Sequence, residues 1–385
     1  MQKLRIGILF LVVSVFITSP ITISFALPQA FHANGAFVED KEILTRAKVL
    51  SLVDSKKELI PNTNTYVTSS QFKIEITEGE LLGRQEIVAD SAFRIEEGDT
   101  VYIRYTKTQD GSEYFSIFEV DRSKGLLILF GIFVVTVLLI GKKQGLLSLI
   151  ALFISFGFIF KLLFPQMIYG GNIVLIATTG ALLSLFVVMF VTHGFSRLTV
   201  SAYLGCALSV LATLLLALYA TTLTSLTGFA TEESVFLNLT TKGELDFVAL
   251  LIGGIIIGVI GVIDDISITQ ASVVGELKNA GSHLSRKELY IRAMKVGKDH
   301  MGAVINTLIL AYTGASLPLL LYLYLSSNPL HMLVNGEIVT TEIVRTLVGS
   351  TGLLLAVPLT TLIAVFLMKE GDTSSGSHAH HHHSH

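Results

Sequence analysis

The sequence predicts a mainly α-helical membrane protein of about eight transmembrane helices, with a small extracytoplasmic β-barrel-like (OB-like) domain after the first helix. Three observations predict it. Of 385 residues, 51% are hydrophobic and 15% charged, whereas a soluble domain carries about 25% charge. The apolar residues gather in runs of roughly twenty, the length that crosses a bilayer. Between the first and second runs lies a polar, turn-rich stretch whose apolar residues alternate.

Lys3 and Arg5 precede an apolar segment from about Ile6 to Ala26. Residues 1–29 thus read as a membrane anchor or a signal peptide, and either sends the following segment outside. Residues 30–123 form the external domain. "QFKIEITEG" and "TVYIRYTKT" alternate with period two, and "EILTRAKVLSLV", "RQEIVA" and "EYFSIFEV" are three further strand candidates. "EEGDT" and "QDGSE" are turns with glycine where positive φ is needed. Residues 124–370 form the polytopic domain, with spans expected at about 125–141, 145–163, 172–192, 198–221, 247–270, 301–326 and 343–368. Residues 371–385 are a disordered tail.

Orientation follows the loops. Lys142 and Lys143, then His193 and Arg197, then the basic segment of about 275–300 alternate with loops poor in Lys and Arg that hold Glu232, Glu233, Glu244 and Asp246. This puts the β-domain outside and the C-terminus in the cytoplasm. The single cysteine, Cys206, excludes an internal disulfide and a cysteine metal site. A net charge of −3 offers no case for nucleic acid, and no cofactor is implied. Serine-hydrolase, HExxH and Walker A signatures are absent. An intramembrane aspartyl protease would need glycine before its aspartate, where Ile263 stands. The chain reads as a non-enzyme.

The chemistry concentrates in "GVIGVIDDISITQASVVGEL", residues 258–277. Two readings compete for Asp264 and Asp265. They cap the first turn of a cytoplasmic helix, or they lie in the membrane and bind a proton or cation. On one helix Asp265, Thr269, Ser272 and Glu276 share a face. Gly253, Gly254, Gly258 and Gly261 precede them as a small-residue stripe that permits close helix packing. Asn306, Tyr312, Thr313 and Ser316 in the sixth of these spans, and Ser350 and Thr351 in the last, are candidate walls of a polar cavity, with Pro318 and Pro358 able to kink those helices. The tail "SHAHHHHSH" makes His380 and His382 candidate ligands for a divalent transition metal, or marks a disordered end or purification remnant.

The motif around the aspartates, "ELYIRAMKVGKDHMGAVINTLILAYTGASLPLLL" after it and the late "RTLVGSTGLLLAVPLTT" resemble the YibE/F family of multi-pass bacterial membrane proteins. The resemblance spans residues from about 40 to about 368, with "IEEGDTVYIRY" in the β-domain fitting too. It implies a bacterial cytoplasmic-membrane location and brings no settled activity. The acidic-pair helix is more distantly similar to that of the RND exporters and SecD/SecF, where such carboxylates serve proton coupling; Asp264 and Asp265 are the matching residues and Glu276 aligns with a later Glu. The expected function is an ion- or proton-coupled permease of unspecified substrate. The alternative is a membrane scaffold or an assembly, secretion or stress factor that binds partners through the β-domain. The bilayer is the one assured partner; protein partners and self-association stay open.

Overall fold

The computed structural model describes residues 41–368 apart from 60–65, 91–92, 109, 170 and 282. The N-terminal apolar segment and the tail with His380 and His382 lie outside the described residues. The chain divides into two compact units, one holding residues 29–140 and the other residues 1–28 and 141–385.

All five expected strands form: β1 Lys41–Leu59, β2 Tyr66–Ile76, β3 Gln85–Asp90, β4 Thr100–Lys107 and β5 Glu113–Val120. They make one antiparallel sheet in the order β3-β2-β1-β4-β5. β1 serves both halves, pairing with β4 through Lys41–Lys48 and with β2 through Ala47–Leu59. Register shifts between Val49 and Ser51 and between Leu52 and Asp54 add the local twist that rolls a sheet. The alternation seen in the sequence becomes an inner face of Ala47, Val49, Phe72, Ile74, Val101 and Ile103, packed as one core. The two edges of the sheet meet through Arg84, just before β3, whose Nη2 lies 2.7 Å from Glu113 Oε2 at the start of β5; the neighbouring Tyr105 hydroxyl on β4 also donates to Glu113 Oε1 at 2.9 Å. The result is a half-barrel. Gly98 (φ +93°) and Gly111 (φ +85°) occupy the two foreseen turns.

The rest of the chain is helical. α1, Ser123–Phe158, breaks at Lys142 (φ 46°, ψ −125°), where the sequence placed a loop between two spans. A π-type turn, Ile159–Leu163, and the short α2, Phe164–Ile168, follow. Then come α3 Ile173–Thr192, α4 Arg197–Leu223, α5 Glu232–Thr240, α6 Phe247–Ala280, α7 Arg286–Ala315, α8 Leu317–Leu325, α9 Leu330–Val334 and α10 Glu337–Leu367. Side-chain caps start the long ones. Asn172, Ser196, Asp246 and Ser285 accept from backbone N–H groups of α3, α4, α6 and α7, satisfying donors that have no partner within the first turn.

Among the described residues five helices are long and apolar enough to cross a membrane, or six if one bent pair counts as a span. This is fewer than the seven expected there for two reasons. Ser123–Ile168 is counted once, although its 46 residues would reach roughly 69 Å, about twice a bilayer core. The expected span at 301–326 bends by 66° between α7 and α8; Pro318, second in α8, cannot continue α7's ladder. Pro358, by contrast, sits inside an unbroken α10. The basic segment near 275–300 is mostly the end of α6 and the start of α7, joined by a short connection between Ala280 and Arg286.

α4, α6 and α10 form the centre, with α3 against α6 and α7 against α10. The glycines that let helices approach are mostly not those expected. A Cβ on Gly205 would lie 2.7 Å from Thr360 Cα. One on Gly352 would lie 3.1 Å from Thr213 Cβ. Of the predicted stripe only Gly253 packs, 3.0 Å from Ala177 Cβ; Gly254, Gly258 and Gly261 would meet nothing within 4 Å. A stripe of small residues permits contact, but the partner helix decides which side is used.

Candidate functional site

α6 is a single helix of 34 residues from its Asp246 cap to Gly281. Asp264 stands 17 residues along it, roughly 26 Å from Phe247. No helix begins at the aspartates, so they are not first-turn caps.

The helix has two polar stripes that differ by about 200° of rotation. Ile263, Ser267, Gln270 and Val274 are buried. Gln270 Nε2 donates to Ala293 O at 3.1 Å on α7 and to Thr361 Oγ1 at 2.7 Å on α10. Thr360 Oγ1 donates to Ser267 Oγ at 3.1 Å. That side is bolted to the last helices. The opposite side carries Asp265, Thr269 and Glu276, all exposed, and half-buried Ser272.

Asp264 and Asp265 line a cavity of about 590 Å³. Its walls are not α7 and α10, as the sequence suggested, but the second part of α1, the π-type turn, α3 and α6. The reason is helical phase: α7 and α10 take the Ser267–Gln270 side, which turns the carboxylates away from them. Ser148, Ser155 and Ser184 supply polar lining, and Ser184 Oγ donates to Ser155 Oγ at 3.3 Å. Gln144 and His193 lie at the end nearest the Lys142 break, where Gln144 Nε2 donates to Thr192 O at 3.3 Å. The remaining lining is mainly apolar. Asp264 Oδ1 is buried and receives no hydrogen bond. Neither lysine nor arginine lines the cavity.

The other predicted residues lie elsewhere. Thr269, Ser272 and Glu276 share the aspartates' helix but not the cavity. Asn306 is exposed on α7. Tyr312, Thr313 and Ser316 line a separate groove of about 320 Å³ between α7–α8 and α10, near the pair Arg345 Nη1–Glu342 Oε1 at 3.1 Å. Ser350 is buried on α10 and its Oγ lacks a partner. Thr313 and Thr351 bond back to Ile309 O and Leu347 O, each at 2.8 Å, as hydroxyls in apolar helices do. A further cavity of about 670 Å³ between α3, α4 and the start of α6 has Asp246 in its wall, but that carboxylate is engaged by Ala249 N at 3.0 Å as a cap.

Sequence reasoning missed Ser148, Ser155 and Ser184. The signal was present: Ser148 and Ser155 are seven apart in one apolar span, which puts them on one face. His193 was read only as part of a loop, yet it is part of the cavity lining.

The sequence model of the family described as YibE/F-like protein matches residues 129–370. That includes every helix lining the cavity and leaves out the half-barrel, so the β-domain is not covered by the match. No curated protein and no solved structure matches the chain, and the likeness of the acidic helix to the RND exporters rests on those residues alone. With more than half its length covered, the chain belongs to the YibE/F-like protein family.

Proposed function

We propose that this multi-pass membrane protein is a proton- or cation-coupled permease in which Asp264 and Asp265 bind the coupling ion. The observation that supports it is the carboxylate pair within an apolar helix, facing a cavity with a buried Oδ1 that no protein donor satisfies. An unpaired buried carboxylate costs several kcal/mol, on the order of 3–5 when a partner is missing, and such acids inside membranes mark ion pathways. A bound proton or cation removes that cost. The Lys/Arg asymmetry orients the chain with the half-barrel outside the cell membrane and the C-terminus inside. In that reading the half-barrel is OB-like, its central β1 shared by both halves of the sheet.

Flux tests the proposal. Purified protein in liposomes, with a trapped pH dye and with Na⁺ or K⁺ gradients, should carry an ion current that Asp264→Asn and Asp265→Asn abolish and Glu276→Gln spares. Flux unchanged in the Asn variants would sink it. The scaffold reading has one observation in its favour: Leu52, Val53, Leu59 and Tyr66, near the β1–β2 turn, are each about half exposed or more. Replacing them with serine would then abolish partner capture and leave ion flux intact.

A further inference from the structure

We infer that the cavity beside Asp264 and Asp265 binds a hydrophobic organic cation, an amine or quaternary onium carrying aryl or alkyl groups. This deepens the permease reading, because it uses the same two carboxylates, but binding can be measured without transport.

Size is the first argument. The cavity holds about 590 Å³, whereas one water occupies about 30 Å³ of liquid. A proton or a bare alkali ion would itself occupy only a small part of it. Volumes of roughly 300–1,000 Å³ belong to organic ligands. The second argument is the wall. Leu152, Phe158, Ile159, Leu163, Ile257 and Ile260 are among its lining residues, apolar surface that gains by covering apolar groups. The third is charge. Two adjacent acids face the space, no lysine or arginine lines it, and Asp264 Oδ1 is buried without a donor. His193 is the one basic side chain in the lining, so a cationic occupant would supply the counter-charge that the walls largely lack. A divalent metal fits poorly, since no group of three His, Cys, Asp or Glu able to hold one occurs among the described residues. Ser155 and Ser184, already bonded to each other, add polarity without charge.

The test uses the full-length protein in nanodiscs. Tetraphenylphosphonium is the cationic probe and triphenylphosphine oxide its neutral control. Saturable binding of the cation, and none of the neutral control, is expected. Asp264→Asn and Asp265→Asn should each weaken it roughly tenfold or more, as loss of a desolvated charge partner does. Glu276→Gln, a carboxylate of the same helix outside the cavity, should leave it unchanged. Gly261→Leu should block the site sterically, because a side chain there projects into open space; retained monodispersity and melting temperature confirm that each variant folds. Equal binding by the Asn variants, or equal loss in Glu276→Gln, would mean nonspecific partition and overturn the inference. Ion flux without saturable probe binding overturns it while leaving the permease reading standing. Saturable, aspartate-dependent binding without flux supports it and removes the permease reading.

Discussion

Gly205→Ala and Gly258→Ala are the same chemical change in two membrane helices, and the structure gives them opposite signs. At Gly205 the added Cβ falls 2.7 Å from Thr360 Cα, a backbone atom, and 2.7 Å from Thr360 Cβ. Rotamer change cannot relieve a clash with a Cα, so α4 and α10 must separate. Overpacking of this kind costs about 1–3 kcal/mol. Alanine recovers at most about 1 kcal/mol of helix propensity, and less in a bilayer, where the unfolded reference keeps its helices. The net is a destabilisation of about 1–2 kcal/mol. At Gly258 nothing lies within 4 Å of the new Cβ, so only the propensity remains and the variant gains up to about 0.5–1 kcal/mol. Reversible unfolding by SDS, or steric trapping in bicelles, reads both. Two variants that shift in the same direction, or a neutral Gly205→Ala, would refute the packing assigned to α4 and α10.

The half-barrel should lose stability in acid. The Arg84 guanidinium, helped by the Tyr105 hydroxyl, holds the Glu113 carboxyl below the usual range. A carboxyl lowered on folding stabilises above its unfolded pKa and ceases to do so as pH falls through the folded value. The melt of residues 38–122 should therefore weaken as pH drops below about 4, and Glu113→Gln should flatten that slope; an unchanged slope would deny the link. The same fragment should give a β-type circular dichroism spectrum and a cooperative transition, and a coil spectrum would count against an independently folded domain. In a Cys206→Ser background, cysteine at Ser112 should react with an impermeant maleimide in intact cells and cysteine at Lys287 should not; the reverse pattern would invert the topology.

The strands were legible because their signal is local. "TVYIRYTK" alternates, and the structure buries Val101, Ile103 and Tyr105. The apolar runs were legible for the same reason, as were the Gly98 and Gly111 turns. The uncharged residues after Asp264 and Asp265 allowed a long helix to run through them but left the first-turn cap as a competing reading, and the unbroken α6 decides between the two. What the sequence did not reveal is which side of α6 meets which neighbour. Ser267 and Gln270 look no more structural than Thr269 and Ser272, and only the bonds to Ala293, Thr360 and Thr361 separate them. The same ignorance of phase put Tyr312 and Thr313 opposite the aspartates and left Ser155 and Ser184 unnoticed. Glycine had the converse problem: Gly205 and Gly352, outside the predicted stripe, make the close contacts, while the conspicuous cluster leaves three of its four members in open space.

The wide turn at Ile159–Leu163 gives the cavity wall one residue of slack. Phe164 N–H reaches back to Ile159 O, five residues away, and Leu163 is seated over Gly180, where a Cβ would come within 2.6 Å of its Cδ1. The extra residue in that turn displaces everything after it by roughly 100° of rotation and roughly 1.5 Å of rise relative to a continuous α-helix. The side chain that meets Gly180 is therefore set by the turn as much as by the order of residues: without the inserted residue, a neighbour of Leu163 would stand in its place.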